Sequence, residues 1–363
     1  MAYLLPLDVY PANFCHMSVI HLLSTDIETG GYNDELVSRT MFMFEATFKE
    51  ASRQEKGIFS ATQLEWFSCK SYNIALKIHK HSDSTLATQL LAISEKLAGI
   101  CQRHLPEGER FTLCQNFLLY DLLRAVIAVS EARRSGYPLS KGQHYNEVRK
   151  CTRNFRAHIQ TQLDRCRTAV QTNEWSAKYR TMLSFSFEAA IFAHRWDEAA
   201  SIIEESRKII DNKLSATFLD CILQSTAPTL EMARILKLTI CTLHSSPSPY
   251  LNSFAFQESL SRYLRILFQL SLHVTDESLA ESVLDQALDI ARDSHKTPSS
   301  YPNEEIQWLA TVAFNQAVEF YRLCKDDDFK RWAGKAIALA DLMEIRPGEL
   351  GRLLRRNFAK LLG

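Results

Sequence analysis

A helix that occurs twice constrains this chain more than any other feature. Residues 64–79 read LEWFSCKSYNIALKIH, and residues 306–321 read IQWLATVAFNQAVEFY. Trp66 aligns with Trp308, Asn73 with Asn315 and Ala75 with Ala317. Leu64, Phe67, Tyr72, Leu76 and Ile78 align with residues of like character. Ser68 and Ser71 stand where Ala310 and Ala313 stand, so both copies carry a stripe of small residues at helical spacing. Such a stripe lets a second helix approach closely. Beyond an acidic break at Asp326–Asp328, Ala333, Ala336, Ile337 and Ala340 supply the matching face, with Trp332 and Leu339 beside them. The unit is an antiparallel α-hairpin. It cannot hide its apolar surface alone and needs neighbours stacked on it.

Local signals agree with this reading. Ser60 with Gln63 makes a capping box for the upstream helix. Asn303 is placed to cap the downstream one, with Glu304 and Glu305 where the helix dipole favours negative charge. Further helices are predicted over residues 34–53, 86–104, 110–134, 144–170, 174–194, 196–210, 214–223, 230–243, 254–273 and 276–292. The 110–134 segment is apolar nearly all round, which predicts burial between neighbours. Turns are expected at 27–33, around Gly30-Gly31, and at Ser245–Pro249, a loop between hairpins. The expected organisation is an apolar, weakly helical segment over 1–33, a tetratricopeptide-like α-solenoid over 34–345, and a C-terminal amphipathic helix over 346–363. Leu350, Leu353, Leu354, Phe358 and Leu361 share one side of that last helix. A partner or a further part of a longer array is expected to cover it.

Composition narrows the function classes. Formal net charge is zero, so no global field argues for nucleic acid or membrane. The N-terminus lacks a basic leader and is broken by Pro6 and Pro11, and no run approaches about 18 uninterrupted apolar residues. No membrane span is expected. The nine cysteines are scattered without a C-x-x-C pair and read as reduced core thiols, Cys101 and Cys241 among them. No phosphate-binding glycine loop, nucleophile elbow or H-E-x-x-H motif is present. His79-x-His81 and Asp326–Asp328 read as solvated helix termini, so no metal or other cofactor is expected. Two surfaces remain. Trp66, Asn73, Trp308 and Asn315 either fill gaps between helices or line a partner groove. Arg149, Lys150, Arg153 and Arg156, continued by Arg165 and Arg167, lie on one predicted helix as a solvated face or a phosphate contact. Arg352, Arg355 and Arg356 form a smaller cluster. Trp308→Ala is expected to cost about 3–5 kcal/mol if its indole is buried.

The recurring W-x6-N-x-A helices, with FSFEAAIFAHRWDEAASIIEE and FQESLSRYLRILFQLSL in order between them, resemble the fungal meiosis and sporulation family called Zip-four or Spo-twenty-two. The resemblance runs from about residue 6 to about residue 343. It implies a tetratricopeptide-like scaffold without catalysis, acting in the nucleus on meiotic chromosomes. Crossover formation and synapsis would be promoted through protein partners, XPF-like meiotic factors among them. Family members are usually much longer than this chain, as expected if it spans part of the array. The competing reading is a nucleic-acid-binding helical array using the Arg149–Arg167 face. An enzyme with a site assembled from distant residues is a third class.

Overall fold

The computed structural model describes residues 12–30, 33–53, 58–80, 84–106, 111–245, 254–294, 301–344 and 348–362. Fifteen α-helices and no strand lie among them. In chain order they are α1 Ala12–Gly30, α2 Asp34–Arg53, α3 Ala61–Ile78, α4 Ser84–His104 and α5 Phe111–Arg134. There follow α6 Pro138–Asp164, α7 Ala169–Phe192, α8 Trp196–Ser206, α9 Asn212–Leu223 and α10 Thr229–His244. The last five are α11 Phe254–His273, α12 Glu277–Ser294, α13 Asn303–Arg322, α14 Asp326–Ala340 and α15 Glu349–Leu362. The helices fall in two compact units, Met1–Ala189 and Ala190–Gly363. In each, the helices in extensive contact lie one or two places apart along the chain. Neighbour-to-neighbour packing of antiparallel hairpins is the all-α solenoid arrangement.

In the first unit, α3·α4 and α5·α6 are the broadest pairings. Small residues permit the first. Ser68 and Ser71 are fully buried, and their hydroxyls donate to the carbonyls of Ser94 (2.7 Å) and Leu90 (2.8 Å) on α4. Ser94 returns the bond to the Ser68 carbonyl at 2.7 Å, and the Tyr120 hydroxyl of α5 joins Ser68 at 2.7 Å. Buried hydroxyls must find such partners, and here they tie three helices. α5 lies between two cores. Leu113, Tyr120, Leu123 and Ile127 pack with α3 and α4, while Leu118 and Ala125 pack with Cys151, Phe155 and Ile159 of α6 and Met182 of α7. Its Leu113–Arg134 portion is long and apolar enough to cross a membrane by length and composition, yet over half of that window is buried among its neighbours.

In the second unit, α13·α14 is the broadest pairing, with Ala310, Ala313 and Ala317 facing Ala333, Ala336 and Ala340, all fully buried. Three turns there share one construction. Residues His194, Thr275 and Cys324 have φ of 54°, 54° and 57°. Each sits in paired bonds that close a helix end: Arg195 N–H to Ala190 O, Asp276 N–H to Ser271 O, and Lys325 N–H to Phe320 O. This is the left-handed helix stop usually built with glycine, here made without one.

Most boundaries match the periodicity within a few residues, and the Ser60–Gln63 capping box forms. Four expectations change. The N-terminal segment is a 19-residue helix that runs on to Gly30, because Ile20 and Ile27 are fully packed and Lys77 Nζ donates to the Ile27 carbonyl at 2.9 Å. The 144–170 helix is displaced to Pro138–Asp164. Thr168 and Gln171 open the next helix, Thr168 Oγ1 accepting from Gln171 N–H and Gln171 Oε1 from Arg167 N–H. Asn303 does not cap α13. It is the first helical residue, and its Oδ1 accepts from Glu344 N–H at 2.8 Å. Cys241 is exposed, since α10 turns Ile240 and Leu243 inward; Cys101 and Cys151 are buried, and all nine cysteines are free. Most of the Ser245–Pro249 loop lies outside the described residues, as do residues 1–11.

Candidate partner-binding surfaces

The Trp–Asn pairs occupy the same place on their two helices. Residues seven apart on a helix share a face, so Trp66 stands two turns from Asn73 and Trp308 two turns from Asn315. Both tryptophans are half-buried and both asparagines exposed. Neither asparagine is a buried residue satisfying its amide inside the stack, so the gap-filling alternative fails for Asn73 and Asn315. The tryptophans are part filler, part surface. Trp66 lies edge-on to Phe67, ring centres 5.3 Å apart, and rests on the first unit's core. Trp308 lies edge-on to Phe268 at 6.3 Å, and the Arg265 guanidinium stands 4.5 Å from its ring centre. Arg265 also pairs with Glu305 at 3.5 Å. The Trp308 ring therefore already carries a cation, a contact worth about 0.5–2 kcal/mol. The fully buried indole is Trp332, held between Phe268 and Phe320.

The basic face is shorter than the sequence suggested. Arg149, Lys150, Arg153 and Arg156 lie on α6, but Arg165 is its C-terminal cap and Arg167 lies beyond it. Lys150 and Arg153 are exposed; Arg149 and Arg156 are half-buried. Phe155, between Arg153 and Arg156, is fully buried in the core and offers no ring for base stacking. His79 donates from Nδ1 to the Leu76 carbonyl, and His81 lies outside the described residues. Asp326–Asp328 form the first turn of α14, where Asp328 pairs with Arg331 at 2.7 Å. Among the described residues no group of three or more His, Cys, Asp or Glu side chains is placed to hold a metal.

One polar cluster was not anticipated. Asp121, only 7% exposed on α5, accepts a long 3.5 Å bond from Asn154 Nδ2 of α6. Arg124, one turn on, pairs with Glu95 of α4 at 2.7 Å and reaches Glu147 of α6 at 4.0 Å. Burial pushes the Asp121 carboxyl up to about 7; the Arg124 cation and the Asn154 bond oppose the rise, and Glu95 and Glu147 add to it. Burial likewise raises the Tyr120 hydroxyl to about 12 against its serine bonds. The signal was legible as D-x-x-R inside an otherwise apolar helix.

Some ion pairs of the second unit join helices two apart. Glu281 on α12 meets Arg331 at 2.6 Å and Lys335 at 2.7 Å on α14, and Lys335 meets Asp285 at 2.6 Å. α15 is not left bare: Leu354 is buried, the Phe358 ring lies tilted against Phe329 of α14 with centres 5.1 Å apart, and Arg355 pairs with Asp341. A side chain at Gly351 would run into the Asp341 carboxylate, so that glycine sets the close approach.

Comparison with protein-family models gives no match, and no curated protein matches the chain. Among solved structures, a circular tandem repeat protein with novel repeat topology and enhanced subunit contact surfaces is similar over 96% of this chain and 90% of its own. Identity is 13% and the TM-score 0.37. By its own helix packing, this chain has a helical-repeat, scaffold-like fold.

Proposed function

We propose that this chain is a non-catalytic scaffold of the Zip-four (Spo-twenty-two) kind, working on meiotic chromosomes in the nucleus. It promotes crossover formation and synapsis by holding protein partners, XPF-like factors among them. One observation carries the scaffold part: a half-buried tryptophan and an exposed asparagine recur two turns apart on α3 and on α13. A stack that repeats an outward-facing pair presents the same contact twice, which suits binding to an extended or helical segment of another protein. The meiotic part rests on the resemblance of the quoted segments alone. Crosslinking with mass spectrometry on complexes from meiotic cells tests both. Crosslinks from meiotic crossover factors should fall beside α3 or α13, and Trp66→Ala with Asn73→Ala should remove those at α3. Pull-downs from meiotic cells that recover no partner above background overturn the reading.

The competing nucleic-acid reading uses Arg149, Lys150, Arg153 and Arg156. It requires binding that weakens steeply with salt and drops on Arg153→Glu plus Arg156→Glu. Absent or salt-insensitive retention on DNA and RNA rejects it.

A further inference from the structure

The polar cluster between α4, α5 and α6 sets three carboxylates, Glu95, Asp121 and Glu147, around one guanidinium, Arg124. Arg124 makes its short contact, 2.7 Å, with Glu95 of α4 and reaches Glu147 of α6 at 4.0 Å. It thereby ties α5 to a helix on either side. Those two carboxylates are partly exposed, their side chains at 42% and 39%. Asp121 is the deeply buried one, and it lies one turn from Arg124 on the same helix, where side chains three apart face each other. Yet among the described residues no ion pair joins the two, and Asp121 has only the long 3.5 Å bond from Asn154 Nδ2. A buried carboxylate beside a cation would claim it, because water cannot solvate the charge in its place. The observed choice of partner is the one a neutral Asp121 permits. The other groups facing Asp121 are Glu95 from α4 and Glu147, Asn154 and the Cys151 thiol from α6. α3 and α7 meet α5 through the Ser68–Tyr120 bond and through Met182.

We propose that Asp121 is a proton-gated competitor for Arg124: with its proton on, Arg124 clamps α4 and α6 to α5, and with its proton gone, Arg124 turns to Asp121 and releases Glu95. The exchange runs in that direction because the losses are unequal. Glu95, half in solvent, is rehydrated when it loses its partner, whereas an ionised Asp121 left without a cation would be a buried, uncompensated charge. The bond given up crosses between helices, and the bond gained lies within α5. Burial holds the Asp121 carboxyl at about 7, so the clamp is closed in mild acid and slackens as pH rises through neutrality. α4 belongs to the hairpin that carries Trp66 and Asn73, and α6 carries Arg149, Lys150, Arg153 and Arg156. The proton therefore sets how firmly the two candidate surfaces of the first unit are held to each other.

The test compares crystal structures of the full chain at about pH 5.5 and about pH 8.5, either side of the titration. In acid, Arg124 should sit on Glu95. In alkali, its guanidinium should lie within hydrogen-bond distance of the Asp121 carboxylate, with Glu95 turned to solvent. In Asp121→Asn it should stay on Glu95 at both. Melting reads the consequence independently. Glu95→Gln should lower the melting temperature by a few degrees in acid and scarcely at all in alkali. In the Asp121→Asn background it should lower it equally at both. Arg124 found on Glu95 at the higher pH overturns the proposal and leaves only repulsion between the two carboxylates. A Glu95→Gln loss that is the same at both values overturns it as well, and so does a pH dependence of that loss that survives Asp121→Asn.

Discussion

Asp121→Asn should stabilise the protein at neutral and alkaline pH and do little in acid. The sign follows from the direction of the shift. The usual aspartate value is 3.8, and burial raises it to about 7 in the fold. The folded chain thus keeps the Asp121 proton up to about pH 7, whereas the unfolded chain gives it up above about pH 4. Folding takes up a proton throughout that window. Stability is fully present below the unfolded value and falls as pH rises through the folded one, by about 1.4 kcal/mol per unit. Across roughly three units the loss is on the order of 4 kcal/mol, and above about pH 7 it is constant. Asparagine keeps the oxygen that accepts from Asn154 and cannot ionise. Wild type and variant should melt together near pH 4, diverge steadily to about pH 7 and stay apart by a constant gap above it, the variant higher by several degrees. Thermal and urea unfolding from pH 4 to 8.5 reads this directly. A variant less stable than wild type at pH 8 would mean that the fold favours the ionised Asp121, held by Arg124, over the protonated one, which refutes the reasoning.

Three further outcomes are expected. Thr275→Gly should raise stability by roughly 0.5–1 kcal/mol in denaturant unfolding, because a β-branched residue at φ 54° is strained where glycine is not. Ser68→Ala should cost about 1–3 kcal/mol by leaving the Tyr120 hydroxyl without its closest partner. Ser68→Ala combined with Tyr120→Phe should cost less than the sum of the two, and additivity in this double-mutant cycle would show that the bond carries nothing. Trp332→Ala should cost about 3–5 kcal/mol, and Trp308→Ala distinctly less, since only the first indole is fully buried. Equal losses in matched melts would contradict the packing described.

Helical period alone located nearly every element, because each helix buries one face and shows the other. It failed where a decision depended on a neighbour from another part of the chain. α1 read as weakly helical beside its prolines, yet Ser24 within it is fully buried, its hydroxyl donating to the His21 carbonyl. The start of α7 hung on the Thr168–Gln171 exchange, a pair of short polar residues with no apolar signal. Trp308 and Trp332 belong to one hairpin, but their surroundings come from α11 as well: Phe268 packs on both rings and Arg265 stands over Trp308 alone. The same limit applies to Asn73 and Asn315. Their recurrence was visible, but their exposure was settled by how far each helix is rolled against its partners.

The two units close their tightest hairpins by different chemistry, and the difference bears on what a stack can hold fixed. Alanine against alanine in α13·α14 permits close approach but specifies no register, since each residue fits opposite any other. Register there is imposed from outside the seam, by Trp332 between Phe268 and Phe320 and by Glu281 and Asp285 gripping Arg331 and Lys335. In α3·α4 the seam specifies itself. Ser68 and Ser94 exchange bonds that a slip of one residue would break, leaving buried hydroxyls and carbonyls unpaired. Tyr120 extends that constraint to α5. The Trp66–Asn73 edge is therefore held by its own hairpin, whereas the Trp308–Asn315 edge depends on contacts outside its seam, part of them ion pairs near the surface, which salt screens. If both edges bind the same kind of partner, contacts at α13 should weaken with ionic strength sooner than contacts at α3.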